Sequence, residues 1–359
     1  MEKKSQTSSF LSRTVRSNGF ALALIAIALG IITYLLSNNF LTSPNLRGGI
    51  FIPMVVPGIL LAAAGPLLIG GSIDLSTAAQ AAFASVVFAK LLAGFPGVAW
   101  PLMALITLLC GVGFGLINIF LTNVLNFMPF ISTIGMSSVY IGAASAWTQM
   151  NDVAINNDSF NSLSSMAYLN KTVPMLFIFM LVILIIYAYI LSNTRFGRSA
   201  YMVGGNQVAA RLAGLNPKRV QAALFINSGV ITALAGLVWA AQQKRGHPKN
   251  IPDGTQYFDA LTAIILGGTA FAGGSGGITA GIIALLMVTV FNNGLTILAQ
   301  VTAVGGQPIY GTYVNTILKG LILIIALMMD YMRSRRAQRA LTAAAMKSAA
   351  EVDAAQGAA

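Results

Sequence analysis

Four ionisable side chains lie inside or at the edge of long apolar stretches: Asp74, Asp259, Lys319 and Asp330. Charge in a lipid environment is expensive, so each needs a physical account. Asp74 stands where the second apolar run meets the third, just after Gly70-Gly71-Ser72-Ile73. Asp259 opens the eighth run, Lys319 lies within the tenth, and Asp330 ends it at the interface. Two readings are open. These groups can line a polar route for a solute, or they can hold helices together. In the second case Asp74 caps a helix through the N–H groups of Ser76 and Thr77, and Lys319 reaches outward to Asp259. Neutral polar groups within the apolar runs are more numerous: Asn118, Thr122, Asn123, Gln149, Asn227, Ser228, Asn292, Asn293, Asn315 and Thr316. They suit a neutral, hydroxyl-bearing solute, and equally they suit interhelical hydrogen bonding. The candidate route comprises Asp74, Asn118, Asp259, Asn292, Asn293 and Lys319.

Other chemistry is missing. The chain has one His, His247, and one Cys, Cys110. That excludes a disulfide within the chain and leaves no metal-spaced Cys/His set and no Ser/His/Asp set. Gly273-Gly274-Ser275-Gly276-Gly277 lacks the Lys-Ser/Thr that completes a phosphate-binding loop. No chain of acidic groups is spaced to pass protons. The reading is a non-catalytic chain that binds no cofactor. If ATP and Mg drive it, another subunit holds them.

The elements that position these residues must form in lipid. The chain has 359 residues, 56% hydrophobic and only 8% charged, against about 25% charged for soluble domains. The net charge of +12 reads as the basic bias of cytoplasmic loops in preference to nucleic-acid binding. Ten apolar runs follow in order: 20–36, 48–71, one opened by the segment 70–76 and reaching about 92, 98–123, 128–149, 173–191, 221–241, 258–272, 278–299 and about 312–330. The fold predicted is all-α and polytopic, with about ten transmembrane helices. The first run reads as an uncleaved signal anchor. Pro53, Pro57 and Pro66 predict a broken helix in the second run. The glycines at 273–277 predict a break after the eighth, which is short for a full crossing. Gly111-x-x-x-Gly115 predicts close helix packing within the subunit. The polar segment 151–171 reads as an outer loop. Leu67-Leu68-Ile69-Gly70-Gly71-Ser72 is echoed in Ile264-Ile265-Leu266-Gly267-Gly268-Thr269, a faint sign of an internal repeat.

Charge sets the orientation. Both termini inside puts the N-terminal segment 1–19, the loop 193–220 and the tail 333–359 in the cytoplasm, around a membrane domain at 20–332. The loop alone carries Arg195, Arg198, Arg211, Lys218 and Arg219 without an acidic residue; outside fall Arg47, Lys90, Lys171, Lys244, Arg245 and Lys249. Within the loop a short helix over 207–213 has legible ends. Asn206 caps its start and Gly214 its exit, and Asn216-Pro217 opens the next helix. Two turns of helix are unstable alone in water. Its apolar residues, Val208 and Leu212 with the small Ala209 and Ala210, must therefore dock, on a cytosolic partner or on the chain's own bundle.

Taken jointly, several segments resemble the permease subunits of bacterial ABC importers of the ribose/xylose/galactose class, which are related to branched-chain amino acid permeases. These are Gly70-Gly71-Ser72-Ile73-Asp74-Leu75-Ser76, Pro129-Phe130-Ile131-Ser132-Thr133-Ile134-Gly135-Met136, Thr194-Arg195-Phe196-Gly197-Arg198, and Gly204-Gly205-Asn206 with Ala209-Ala210-Arg211 and Gly214. Asp259-Ala260, Leu266-Gly267-Gly268-Thr269 with Ala272-Gly273-Gly274, and Asn292-Asn293-Gly294-Leu295 complete the set. The resemblance implies a multi-pass protein of the bacterial inner membrane, paired with a second permease copy or paralogue. It also implies a cytoplasmic ABC ATPase and a periplasmic solute-binding protein as partners. It assigns Gly204, Gly205, Asn206, Gln207, Ala209, Ala210, Arg211 and Gly214 to the loop that seats in the ATPase. The family motif there begins Glu-Ala-Ala; this chain has Gln207-Val208-Ala209-Ala210. The basic cluster Lys244, Arg245, His247, Lys249 is then either a patch facing the binding protein or a solvated loop. The solute implied is a monosaccharide or similar polyol. An amino acid or nucleoside on the same machinery, an ion-coupled carrier and a membrane scaffold are the alternatives.

Overall fold

The computed structural model describes residues 18–248, 256–301, 317–318, 320–332 and 335. In chain order its main helices are α1 (Asn18–Leu36), α2 (Ser43–Ile69), α3 (Thr77–Gly94), α4 (Trp100–Val124), α5 (Pro129–Thr148) and α6 (Asp158–Ser165). There follow α7 (Met175–Asn193), α8 (Arg195–Gly205), α9 (Gln207–Leu212), α10 (Pro217–Gln243), α11 (Gln256–Leu266), α12 (Ile278–Val301) and α13 (Gly320–Met332). The first nine apolar runs each fall wholly or largely on one of these helices; of the tenth, the residues from Gly320 lie on α13 and 312–316 are outside the described residues. Among the described residues, seven helices are long and apolar enough to cross a membrane: α1, α2, α3, α4, α7, α10 and α12. The 20-residue α5 falls outside that set, its sequence being diluted by Ser, Gly and Thr. The helices α11 and α13 are shorter.

The segment 151–171 is more than a loop. It contains α6, capped by Asn157 accepting from Phe160 N at 2.9 Å. It also carries strands β1 (Val153–Ala154) and β2 (Ala167–Tyr168). With β3 (Val173–Pro174) and β4 (Arg245–Gly246), these form two antiparallel pairs, β1 with β4 and β2 with β3.

The second run departs from the expected broken helix. Pro57 and Pro66 both sit inside one continuous α-helical stretch, Ile52–Ile69, and the wider π-helical turn at Leu46–Phe51 lies in the earlier part of α2. The reason is position. α2 is the most buried candidate span, 89% enclosed, and packs against α7, α10, α11 and α12. A proline is tolerated in a membrane helix where neighbouring protein, and not lipid, surrounds the loosened backbone. The expected break after the eighth run does occur: α11 ends at Leu266 and α12 starts at Ile278.

Around α2, α10 crosses α3 and α4, α5 packs on α3, and α1 lies at the edge against α12. Gly111 and Gly115 of α4 meet the backbone of α10 at Gly229 and Ile226, so this close contact is within the subunit. The repeated six residues take one local structure twice. Gly71 N donates to Leu68 O at 2.9 Å and Ser72 N to Leu67 O at 3.0 Å; Gly268 N donates to Ile265 O at 2.9 Å and Thr269 N to Ile264 O at 3.1 Å. Gly71 and Gly268 both have positive φ, +76° and +93°. Each is a helix exit closed by crossed hydrogen bonds around a left-handed glycine. They end α2 and α11.

Candidate functional site

The loop between α7 and α10 forms two short helices. Thr194 caps α8, accepting from Gly197 N at 3.3 Å. Asn206 caps α9, its side-chain oxygen accepting from Val208 N at 2.9 Å and Ala209 N at 3.0 Å. At the exit, Gly214 has φ +83° and donates to Arg211 O, while Leu215 N donates to Ala210 O. Asn216 caps α10 by accepting from Arg219 N at 3.2 Å, with Pro217 in its first turn. The apolar residues of α9 divide between two faces. Ala210 is buried against the bundle, whereas Val208 and Leu212 are 69% and 87% exposed. Gln207, Ala209 and Arg211 also face outward.

Behind this stub three glycine pairs meet: Gly70-Gly71 at the end of α2, Gly204-Gly205 at the end of α8, and Gly273-Gly274 between α11 and α12. Gly274 N donates to Ile69 O at 2.8 Å. A Cβ on Gly204 would overlap that same carbonyl, and one on Gly273 would lie 2.7 Å from Gly71 Cα. Backbones touch here because no side chain intervenes.

From Gly71 the chain runs into Asp74, 2% exposed. Both carboxylate oxygens are saturated. Oδ1 accepts from Ser76 N at 2.8 Å and from the Ser76 hydroxyl; Oδ2 accepts from Gln80 Nε2 at 3.1 Å and Asn118 Nδ2 at 2.8 Å. The Asp74 carbonyl accepts from the hydroxyls of Thr77 and Tyr257. Leu75 N donates to Thr133 Oγ1 at 3.0 Å. The Asp74–Ser76 half of the expected cap is thus present, while Thr77 bonds through its hydroxyl. Among the described residues no cation pairs with Asp74. Gln80 and Tyr257 are absent from the sequence-derived set, and Thr133 enters the sequence analysis only within the segment 129–136 that carries the resemblance. A lone Gln in an Ala-rich helix carries no pattern, and the other two are ordinary helix residues until the fold brings them together.

The remaining sequence candidates do not gather at this point. Asn293 on α12 exchanges hydrogen bonds with Asn45, at 3.0 and 3.1 Å, at the start of α2. Asn292 is half-buried, with a side-chain oxygen that has no hydrogen-bond partner among the described residues. Asp259 is half-buried on α11. Asp330 accepts from Phe271 N at 3.1 Å in the glycine-rich turn. Lys319 lies outside the described residues, as do Lys249, Asn315 and Thr316. At the opposite end from α9, Asp152 pairs with Arg245 at 3.0 Å and His247 at 3.2 Å, joining β1 to β4.

A charge-poor helical bundle with seven helices long and apolar enough to cross a membrane among the described residues, and a capped two-turn helix seated on one end, defines a multi-pass membrane protein. The sequence model described as "Branched-chain amino acid transport system / permease component" matches residues 49–327, and the chain belongs to that family. It is similar to a probable ABC transporter permease protein of Escherichia coli K12, 28% identical over 331 residues, covering 92% of this chain and 94% of the relative. It is 31% identical over 313 residues to the D-allose transport system permease protein of the same bacterium, covering 87% and 91%. It is 28% identical over 307 residues to the ribose import permease protein of Bacillus subtilis, covering 85% and 90%. No solved structure matches. The chain is a transport subunit and not an enzyme.

Proposed function

We propose that this chain is the membrane permease of an ATP-driven, binding-protein-dependent importer of a monosaccharide in the bacterial inner membrane. The solute class rests on the relatives, which are named for D-allose, ribose, galactose and fructose. The many neutral hydrogen-bonding groups on the helices agree with a polyhydroxylated solute. ATP and Mg belong to a cytoplasmic ATPase. A periplasmic protein delivers the sugar, and two permease copies or paralogues make the pore.

The observation that carries the coupling role is Leu212. A leucine 87% exposed on a two-turn helix gains nothing in water, and a soluble surface of the ATPase would cover it. The helix α9 with Gly204, Gly205, Asn206 and Gly214 is then the contact with the motor. Co-purification with the ATPase, followed by uptake of labelled allose, ribose, galactose and fructose into proteoliposomes with the binding protein, tests the reading. Uptake driven by an ion gradient without ATP would overturn it.

A further inference from the structure

We infer that the segment 70–76 is the linkage that carries motion from the helices α8 and α9 into the membrane bundle, and that Asp74 is its positioning residue. This rests on the reading of α9 as the docking element for an ATPase.

At one end of the segment, the three glycine pairs put backbone against backbone. Gly274 N holds Ile69 O at 2.8 Å, and a Cβ on Gly274 would come within 2.5 Å of Gly205 Cα. Contacts between side chains can absorb a displacement by changing rotamer. Backbone contacts at this distance cannot, so a shift of the α8 terminus moves the end of α2 and the turn before α12 together. At the other end, Asp74 is fixed by four donors on its carboxylate and two on its carbonyl. Those donors come from α3 (Thr77, Gln80), α4 (Asn118) and α11 (Tyr257), together with Ser76 of the segment itself. The next amide, Leu75 N, holds α5 through Thr133 at 3.0 Å. Only four residues lie between Ile69 and Asp74, so the two clamps act on one short piece of chain. A neutral side chain of the same size would satisfy a packing role. A carboxylate accepting four hydrogen bonds fixes direction as well, because each oxygen has a defined pair of donors.

The physical warrant for such a route is coupling, not adjacency. The test uses the full complex of permease and ATPase in lipid nanodiscs, comparing hydrogen exchange in the nucleotide-free and ADP-vanadate-trapped states. In the wild type, trapping is expected to change exchange in peptides covering 206–214, 70–80 and 256–266. Asp74→Asn is expected to keep ATPase co-purification, ATP hydrolysis and the change at 206–214, and to lose the change at 70–80 and 256–266. Tyr257→Phe keeps the buried ring and removes one hydroxyl; it is expected to lose the change at 256–266 while keeping the wild-type thermal midpoint. If both single variants show the wild-type pattern, the linkage is wrong and the docking reading is untouched. If the wild-type complex changes at 206–214 but nowhere in 70–80, the linkage is likewise wrong. A wild-type permease that captures no ATPase overturns the docking reading and this inference with it.

Discussion

The amide of Gly274 donates to the carbonyl of Ile69 at 2.8 Å, and the α-carbon of Gly204 occupies the space beside that bond. One hydrogen bond thereby joins the end of a central spanning helix to the turn that interrupts the bundle further along the chain. It does so beside the end of α8, where the next residue but one, Asn206, caps the stub.

The two glycines of α8 are predicted to differ. A Cβ on Gly204 overlaps the Ile69 carbonyl, whereas one on Gly205 has its nearest neighbour at 3.8 Å. Gly204→Ala should destabilise the detergent-solubilised permease by about 1–3 kcal/mol, the range for overpacking. Gly205→Ala should leave its thermal midpoint close to wild type. Fluorescence-detected size-exclusion melting distinguishes them. Equal midpoints for the two variants would contradict the crowding at Gly204.

The cap on α9 is predicted to matter locally. Asn206→Ala removes the acceptor for two amides, at a cost of about 1 kcal/mol. In a two-turn helix that is enough to raise the frayed population several-fold. Hydrogen exchange at 207–212 should quicken in the free permease, and Asn206→Asp should restore protection. Unchanged exchange in the alanine variant would mean that packing of Ala210 alone holds the helix.

What the sequence made legible follows the range of the physics. Asn206, Gly214, Asn216 and Pro217 act on neighbours a few residues away, so the ends of α9 and the start of α10 are readable from residue types. The crossed-bond exits at Gly71 and Gly268 are also local, and the six-residue echo reflects a shared structure. The meeting of 70–71, 204–205 and 273–274 is not local; each pair reads alone as a loop. Asp74 stood out because an intramembrane carboxylate is rare, but its partners Gln80 and Tyr257 were invisible. The prolines of α2 misled for a related reason. Whether a proline breaks a helix depends on what surrounds it, and the enclosure of α2 is a property of the whole bundle.

The Asp152 cluster at the far end is predicted to contribute little to stability. Arg245 and Asp152 are 52% and 32% exposed in their side chains, and exposed pairs contribute about 0–1 kcal/mol. Asp152→Ala should shift the thermal midpoint only slightly. Its effect should appear in the β1–β4 pairing, as faster exchange of amides in 153–155. A large loss of global stability would show that the strand pair supports the helices more than its exposure suggests.

The sharpest separation of folding from coupling is at Leu212. The side chain is 87% exposed, so its replacement removes almost no contact within the chain. Leu212→Glu should insert, fold and melt as the wild type does, since surface changes away from packed features stay within about 0.5 kcal/mol. Against a partner the same change places a charge in an apolar contact. Where an apolar side chain is a hot spot of an interface its truncation costs about 2 kcal/mol or more, and a buried unpaired carboxylate adds to that loss. Capture of the ATPase should therefore fall at least tenfold, with ATP-driven uptake falling alongside. Leu212→Met, which keeps the volume and apolar character, should retain both. If Leu212→Glu binds the ATPase with wild-type affinity, the exposed leucine is not the contact, and the docking surface must lie elsewhere on the α8–α9 loop.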